Sequence, residues 1–394
     1  MMDTRRGPLA GIKVVEVAGL GPVPFCGMML GDMGAEVVLV ERPGASTGGG
    51  LRTGLERNRR RIELDLKCAA GIDVLLRLVA RSDALFEGYR PGVAERMGWG
   101  PDVCLGCNPR LVYGRVSGWG REGPLAGSAG HDINYLALSG LLHAIGVPGG
   151  APLPPLNVVG DFGGGGMLLA YGIVCALLEA RISGRGQVVD AAMLDGSALF
   201  LAPFMGAAGN PWGFDPRPGQ SLLGGAAPYY GVYETADGGY LAIGALEPQF
   251  FGALLRVLEL DDAEARAAGF PALDLATRER AWPALRARIA ARVRSRSREE
   301  WTQAFAAVDA CVSPVLSLDE AVRHPQLRQR GTFGLVDGQP QPAPAPRFSR
   351  TPTTTPEAAR EAGRDTAAVL DELGIDEAER DALRRAGAFG GEAP

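Results

Sequence analysis

Apolar positions near the start of the chain fall in short unbroken runs instead of alternating with polar ones. Lys13-Val-Val-Glu-Val-Ala18 and Glu36-Val-Val-Leu-Val40 read as strands buried on both faces. Between them, Gly19-Leu20-Gly21-Pro22 turns the chain into a helical stretch that ends near Met33. Strand, helix and strand within about 30 residues open a parallel sheet. The pattern continues with a helix over 71–80 and strands over 83–87 and 111–116, predicting an α/β domain.

The texture changes past Asn210. Val232-Tyr-Glu-Thr, Ala236-Asp-Gly-Gly and Tyr240-Leu-Ala-Ile-Gly244 predict a hairpin, and residues 261–308 read as charged, Arg- and Ala-rich helix. Residues 338–356 are proline-rich and expected to be extended, and 365–388 are helical with a break at Gly374. The longest apolar stretch, 167–178, is interrupted by Gly172 and falls short of the roughly 20 residues of a membrane span. No secretory leader is read at the start, so the expectation is a cytoplasmic protein that needs no membrane.

Composition narrows this further. With 46% hydrophobic and 22% charged residues the chain is ordinary globular material. A net charge of −5 argues against a nucleic-acid partner, while leaving room for a local cationic pocket. Lys13 and Lys67 are the only lysines; every other cation is arginine. The six cysteines have no framework spacing, which fits a reducing compartment. Cys104-Leu-Gly-Cys107 lacks a second pair or nearby histidines, and no metal is expected there.

Gly19, Gly21 and Glu41 suggest a dinucleotide fingerprint, but its third glycine position holds Pro24. The Gly163–Gly166 run either brings backbone close to a ligand or lets chains pack tightly, and no Lys-Ser or Lys-Thr follows it as in a phosphate loop. Of the three histidines, His143 sits among apolar residues and reads as packed, and His324 reads as solvated. His131, in Gly130-His-Asp-Ile-Asn-Tyr135, stands at a predicted helix start. Asp161 follows the strand-like run Val158-Val-Gly160, and Glu247 lies between an apolar run and Pro248. Each carboxylate is placed for a capping or surface role, or for an active site at a strand end. Arg57 and Arg59-Arg-Arg61 offer local positive charge or a solvated loop.

Together these segments resemble the α-methylacyl-CoA racemases of the family III CoA-transferase superfamily. The residues carrying the resemblance are Gly130–Tyr135, Pro154–Gly164, Gly186–Met193, Ala227–Tyr230, Gly244–Phe250 and Pro344–Phe348, with a weaker match at Gly363–Leu370. It implies a large Rossmann-like domain (1–210), a small α+β domain (225–310) and a segment (311–394) returning to the large domain, in an interlocked homodimer. It implies inversion of the carbon next to an acyl-CoA thioester, with His131 and Asp161 as acid-base groups and Glu247, from the partner chain, orienting His131. The Asp132 N–H would receive the enolate oxygen. No cofactor is implied, since CoA belongs to the substrate. CoA contacts are implied at Arg42, Leu64, Asp65, Leu66, Lys67, Gly88, Tyr89, Arg90 and Arg96, and at Gly130, Ile133, Asn134 and Tyr135. The alternative is a CoA-transferase with Asp132 as nucleophile; transferases typically lack a histidine at the position of His131.

Overall fold

The computed structural model describes residues 6–44, 54–205, 217–269 and 275–389, with 275–279 as backbone only. The chain forms two units, one of residues 1–139, 156–199 and 325–394, the other of 140–155 and 200–324. The expected divisions differ from these in two places. Residues 140–155 leave the first unit early, and the return begins at Pro325, not at 311. Val312–Pro314 belongs to the small unit's sheet, which explains the shift. The expected boundary at 210 lies outside the described residues.

The first unit is built on six parallel strands: β1 (Lys13–Val17), β2 (Glu36–Glu41), β3 (Arg59–Glu63), β4 (Ala84–Glu87), β5 (Val112–Ser117) and β6 (Gln187–Ala192). Their order is β3-β2-β1-β4-β5-β6, so the chain winds outward from β1 in one direction and then resumes beside it in the other. Period-2 alternation sorts the side chains. Val14, Val37, Phe86 and Val112 enter one core with Val23, Leu30 and Ile173, from the helices Pro22–Asp32 and Leu168–Ser183. Val15, Val38, Leu85 and Tyr113 enter the other, with Leu75 from the helix Ala69–Val79 and Leu370 and Leu383 from the C-terminal helices Thr366–Leu373 and Glu377–Arg385. Gly374, at φ 79°, caps the first of these two helices, as the expected break there requires.

β3 departs from expectation. Its Arg59-Arg-Arg sequence is neither a solvated loop nor free charge, because each arginine meets a carboxylate. Arg59 is 1% exposed and donates through Nε to Glu16 of β1 at 3.0 Å. Arg61 grips Glu41 of β2 through two bonds of 2.7 Å, and Arg60 reaches Glu36 and Glu372. Arg57, just before the strand, is paired with Asp32. Asp365 then closes the outer edge, accepting from the Arg61 N–H at 2.8 Å and donating its own N–H to the Arg61 carbonyl. Ion pairing is why a strand was hidden in a charged sequence.

The expected strand-like run at 158–160 is instead the start of a wide helix, Val158–Met167, with π-type hydrogen bonding. It runs on into Leu168–Ser183, and the continuous stretch of 26 residues is long and apolar enough, by length and composition, to cross a membrane. Within the unit, 44% of its most apolar window is buried. Its glycines serve packing: a Cβ on Gly165 would stand 2.9 Å from Met193 and from Pro22, and one on Gly164 would stand 3.0 Å from the Ser197 nitrogen.

The second unit holds a three-stranded antiparallel sheet of β7 (Tyr230–Glu234), β8 (Tyr240–Gly244) and β9 (Val312–Pro314). Helices including Pro248–Val257, Leu275–Val293 and Arg298–Phe305 surround a core with Tyr229, Trp282 and Trp301. In the first unit, the proline-rich segment begins with a short hairpin, β10 (Phe333–Val336) and β11 (Gln339–Pro342), turned by Asp337-Gly338 at positive φ.

The buried Glu16–Arg59 pair gives a stability test. A Cβ on Gly27, inside the first helix, would collide with both of its side chains. Glycine to alanine in a helix ordinarily stabilises by about 0.5–1 kcal/mol. Gly27→Ala is expected to destabilise by about 3 kcal/mol in urea unfolding, because the pair must separate.

Candidate functional site

A doubly wound sheet opens a crevice where the strand order reverses, at the carboxyl ends of the strands on either side. Here that point lies between β1 and β4. A cleft of about 260 Å³ occupies it, lined by Leu20 and Pro22 after β1, Gly88, Tyr89 and Arg90 after β4, and Ser117, Gly118 and Trp119 at the end of β5. Gly130, His131 and Tyr135 also line it.

His131 immediately precedes the helix Asp132–Ser139, and its peptide is fixed from both sides. The Asn134 side chain accepts the His131 N–H at 3.0 Å, while the His131 carbonyl accepts the Asn134 N–H at 2.8 Å. This is half of a capping box. Asn134, implied as a CoA contact, thus holds the backbone of His131.

Asp132 opens that helix, where a negative charge is favoured by the helix dipole. Its buried carboxylate accepts the Asp161 N–H at 2.7 Å and also the Gly160 N–H. These are amides in the first turn of the wide helix, so one carboxylate joins the starts of two helices. Burial raises the Asp132 pKa, with the nearby Asp161 charge adding to the rise and the two amides opposing it.

The same bond fixes Asp161. Burial pushes its carboxyl above the usual carboxylate range, while an Asn157 amide at 3.1 Å and the nearby His131 pull it back. Gly21, at φ 59°, makes room for this group: a Cβ there would lie 2.9 Å from Asp161 Oδ2. The glycine that suggested a dinucleotide turn admits a carboxylate instead. Asn157 drew no role from the sequence. Its one signal was a spacing of four residues from Asp161, informative only once the segment is known to be helical.

Other candidates sort by position. Gly88, Tyr89, Arg90, Gly130 and Tyr135 share the cleft with His131. Arg42 and Lys67 follow β2 and β3 at the same sheet end, and Arg96 ends the short helix Val93–Arg96. Leu64 and Leu66 are buried in the core, so only their backbone can face a ligand, and Asp65 binds the Ala388 carbonyl through its N–H. Ile133 is exposed. Glu247 stands exposed in the second unit, directly before the helix Pro248–Val257. His143, expected to be packed, is exposed, because its short helix Leu141–Ala144 turns Leu141 inward instead; His324 is half-buried. Cys104 is buried, with Sγ against the Trp99 carbonyl.

Comparison with known proteins places this geometry. The model of CoA-transferase family III matches residues 9–366. The chain belongs to CoA-transferase family III. Within the family it is 46% identical over 376 residues to the alpha-methylacyl-CoA racemase of Mus musculus, covering 94% of each chain. It is 42% identical to the alpha-methylacyl-CoA racemase of Homo sapiens, over 93% of this chain and 94% of that one. A crystal structure of a CAIB/BAIF family protein from Brucella suis superposes with a TM-score of 0.80 at 25% identity, over 94% of this chain and all of that one.

The raised Asp161 pKa carries a stability consequence. The unfolded chain releases this proton at lower pH than the folded one, so the residue's contribution to stability declines as pH rises from the ordinary aspartate range through the folded value. Asp161→Asn removes that cost. Thermal melts are expected to show the variant at least as stable as the parent at pH 7–8, with the difference shrinking on acidification.

Proposed function

We infer that this chain is an isomerase that inverts the α-carbon of 2-methyl-branched acyl-CoA thioesters through an enolate, without a cofactor. One observation carries the reading. The Asp132 carboxylate is buried and occupied by two amides, a poor state for a transferase nucleophile, while His131 and Asp161 are left as the titratable pair of the site. The racemase names of the two mammalian relatives support the same reading.

An α-proton of a thioester is weakly acidic, so its removal needs a close base and support for charge on the oxygen. His131 deprotonates one enantiomer and Asp161 the other; the conjugate acid of each returns a proton to the opposite face. A carboxyl raised by burial is better matched to this exchange than an ordinary one. The Asp132 N–H, among the donors a helix cannot satisfy internally, receives the enolate oxygen. A base supplies about 3–5 kcal/mol and an oxyanion donor about 3–4 kcal/mol. Firm binding of the CoA handle supplies the rest by positioning.

That handle carries phosphates. Among the described residues, Arg42, Lys67, Arg90 and Arg96 have no ion-pair partner, in contrast to Arg57, Arg59, Arg60, Arg61 and Arg115. Unpaired guanidinium groups at the open end of a sheet suit phosphate. The active form is a homodimer in the cytoplasm, with Glu247 orienting His131 in trans. Support for a second copy comes from Tyr171, Leu178 and Ile182, an exposed apolar stripe along one helix.

In heavy water, a single 2-methylacyl-CoA enantiomer is expected to gain α-deuterium and lose optical purity with no acceptor acid present; dependence on an added carboxylate would overturn the reading. His131→Ala and Asp161→Ala should each cut exchange at least about 100-fold, from opposite enantiomers. Light scattering should give twice 41.2 kDa. Co-expressed His131→Ala and Glu247→Ala chains should recover up to about a quarter of parental activity if Glu247 acts across the interface. No recovery would place it in cis.

A further inference from the structure

Tyr135 is 5% exposed and borders the cleft, yet its hydroxyl has no hydrogen-bond partner among the described residues. The oxygen itself keeps some accessible surface, so it is left open to the cleft that the ring borders. The ring is held on several sides. It meets Trp119 edge-on, with centroids 4.8 Å and planes 83° apart. A Cβ on Gly130 would lie 2.7 Å from Tyr135 Cε1, and one on Gly118 would overlap the hydroxyl end. Two glycines therefore keep space for this ring.

Its direction follows from helix geometry. Side chains lean toward the N-terminus of their helix, so Tyr135 covers the turn that begins at Asp132. The hydroxyl end lies at the end of β5, beside Gly118. The charges that act on it are, in order, Asp161, Arg90 and Asp132. Both the acid-base residue Asp161 and Arg90, one of the cations assigned to the phosphates, therefore act on it. Burial and the Asp161 charge raise its pKa, keeping the proton on the oxygen across the working pH range.

We propose that Tyr135 is a catalytic residue whose Oη–H donates a hydrogen bond to the thioester oxygen, as a second donor beside the Asp132 N–H. The proposal rests on the racemase reading. When the base takes the α-proton, the C–H electron pair moves into the new carbon–carbon double bond and the carbonyl pair moves onto oxygen. Tyr135 keeps its own proton and strengthens its bond to that oxygen. Reprotonation at carbon from the opposite face reverses the shift. The oxygen is common to both directions, so the tyrosine serves both equally, unlike either base.

The test is deuterium incorporation from heavy water into (2R)- and (2S)-2-methyldecanoyl-CoA by the full-length parent and by Tyr135→Phe, which keeps the ring. The expected result is a fall in kcat of about 100-fold for both enantiomers, with KM changed less than about threefold and an unaltered melting temperature. Unchanged kcat, a change in KM alone, or a loss confined to one enantiomer would each overturn the proposal while leaving the racemase reading intact. A parent that exchanges neither enantiomer would overturn both. Should the Phe variant not fold, 3-fluorotyrosine at position 135 must change both rates in the same sense; a change in one only, or none, counts against it.

Discussion

The site depends on the hydrogen bonds of one buried carboxylate. Asp132 accepts amides from Gly160 and Asp161 while standing at the head of its own helix. Those amides open a helix separated from Asp132 by nearly thirty residues of chain, part of which runs through the second unit. This bond ties the backbone of Asp161 directly to the residue that follows His131. The proposed acid-base pair, set to work on two faces of one carbon, needs that fixity, since rate falls steeply with misplacement.

A second constraint governs charge. The arginines of β3 and β5 are packed against Glu16, Glu41 and Glu87. Pairing offsets these buried charges, while Arg42, Lys67, Arg90 and Arg96 have no ion-pair partner among the described residues. Burying an arginine with its carboxylate is not in itself a route to stability. Its effect here is to divide one residue type between paired interior groups and unpaired ones. Gly21 and Gly27 show the same economy of space, one admitting the Asp161 carboxylate and the other sheltering the Glu16–Arg59 pair.

Much of this was legible beforehand. β1, β2, β4 and β5 follow from unbroken apolar runs, and the β7–β8 hairpin follows from its Asp-Gly-Gly turn. His131 and Asp161 stood out through scarcity and through their glycine neighbours. β3 was hidden because pattern reading scores arginine as solvent-facing, and only long-range pairing makes it an interior residue. The wide helix was misread as a strand because a stretch with two valines and five glycines has low helical propensity; packing against Pro22, Met193 and Ser197 overrides it. His143 was misjudged because an apolar neighbourhood in sequence is not one in space when the helix is a single turn.

The sequence by itself determined the alternation of strand and helix, the shortage of histidine and the presence of acid and base in separate segments, because these depend on local periodicity and residue type. The tertiary structure alone decided which arginines are neutralised, that Gly21 faces a carboxylate, and that the Asp132 carboxylate joins the starts of two helices. Those outcomes depend on which groups meet across long stretches of chain, and a hydrogen bond or ion pair reads the distance between its atoms in space.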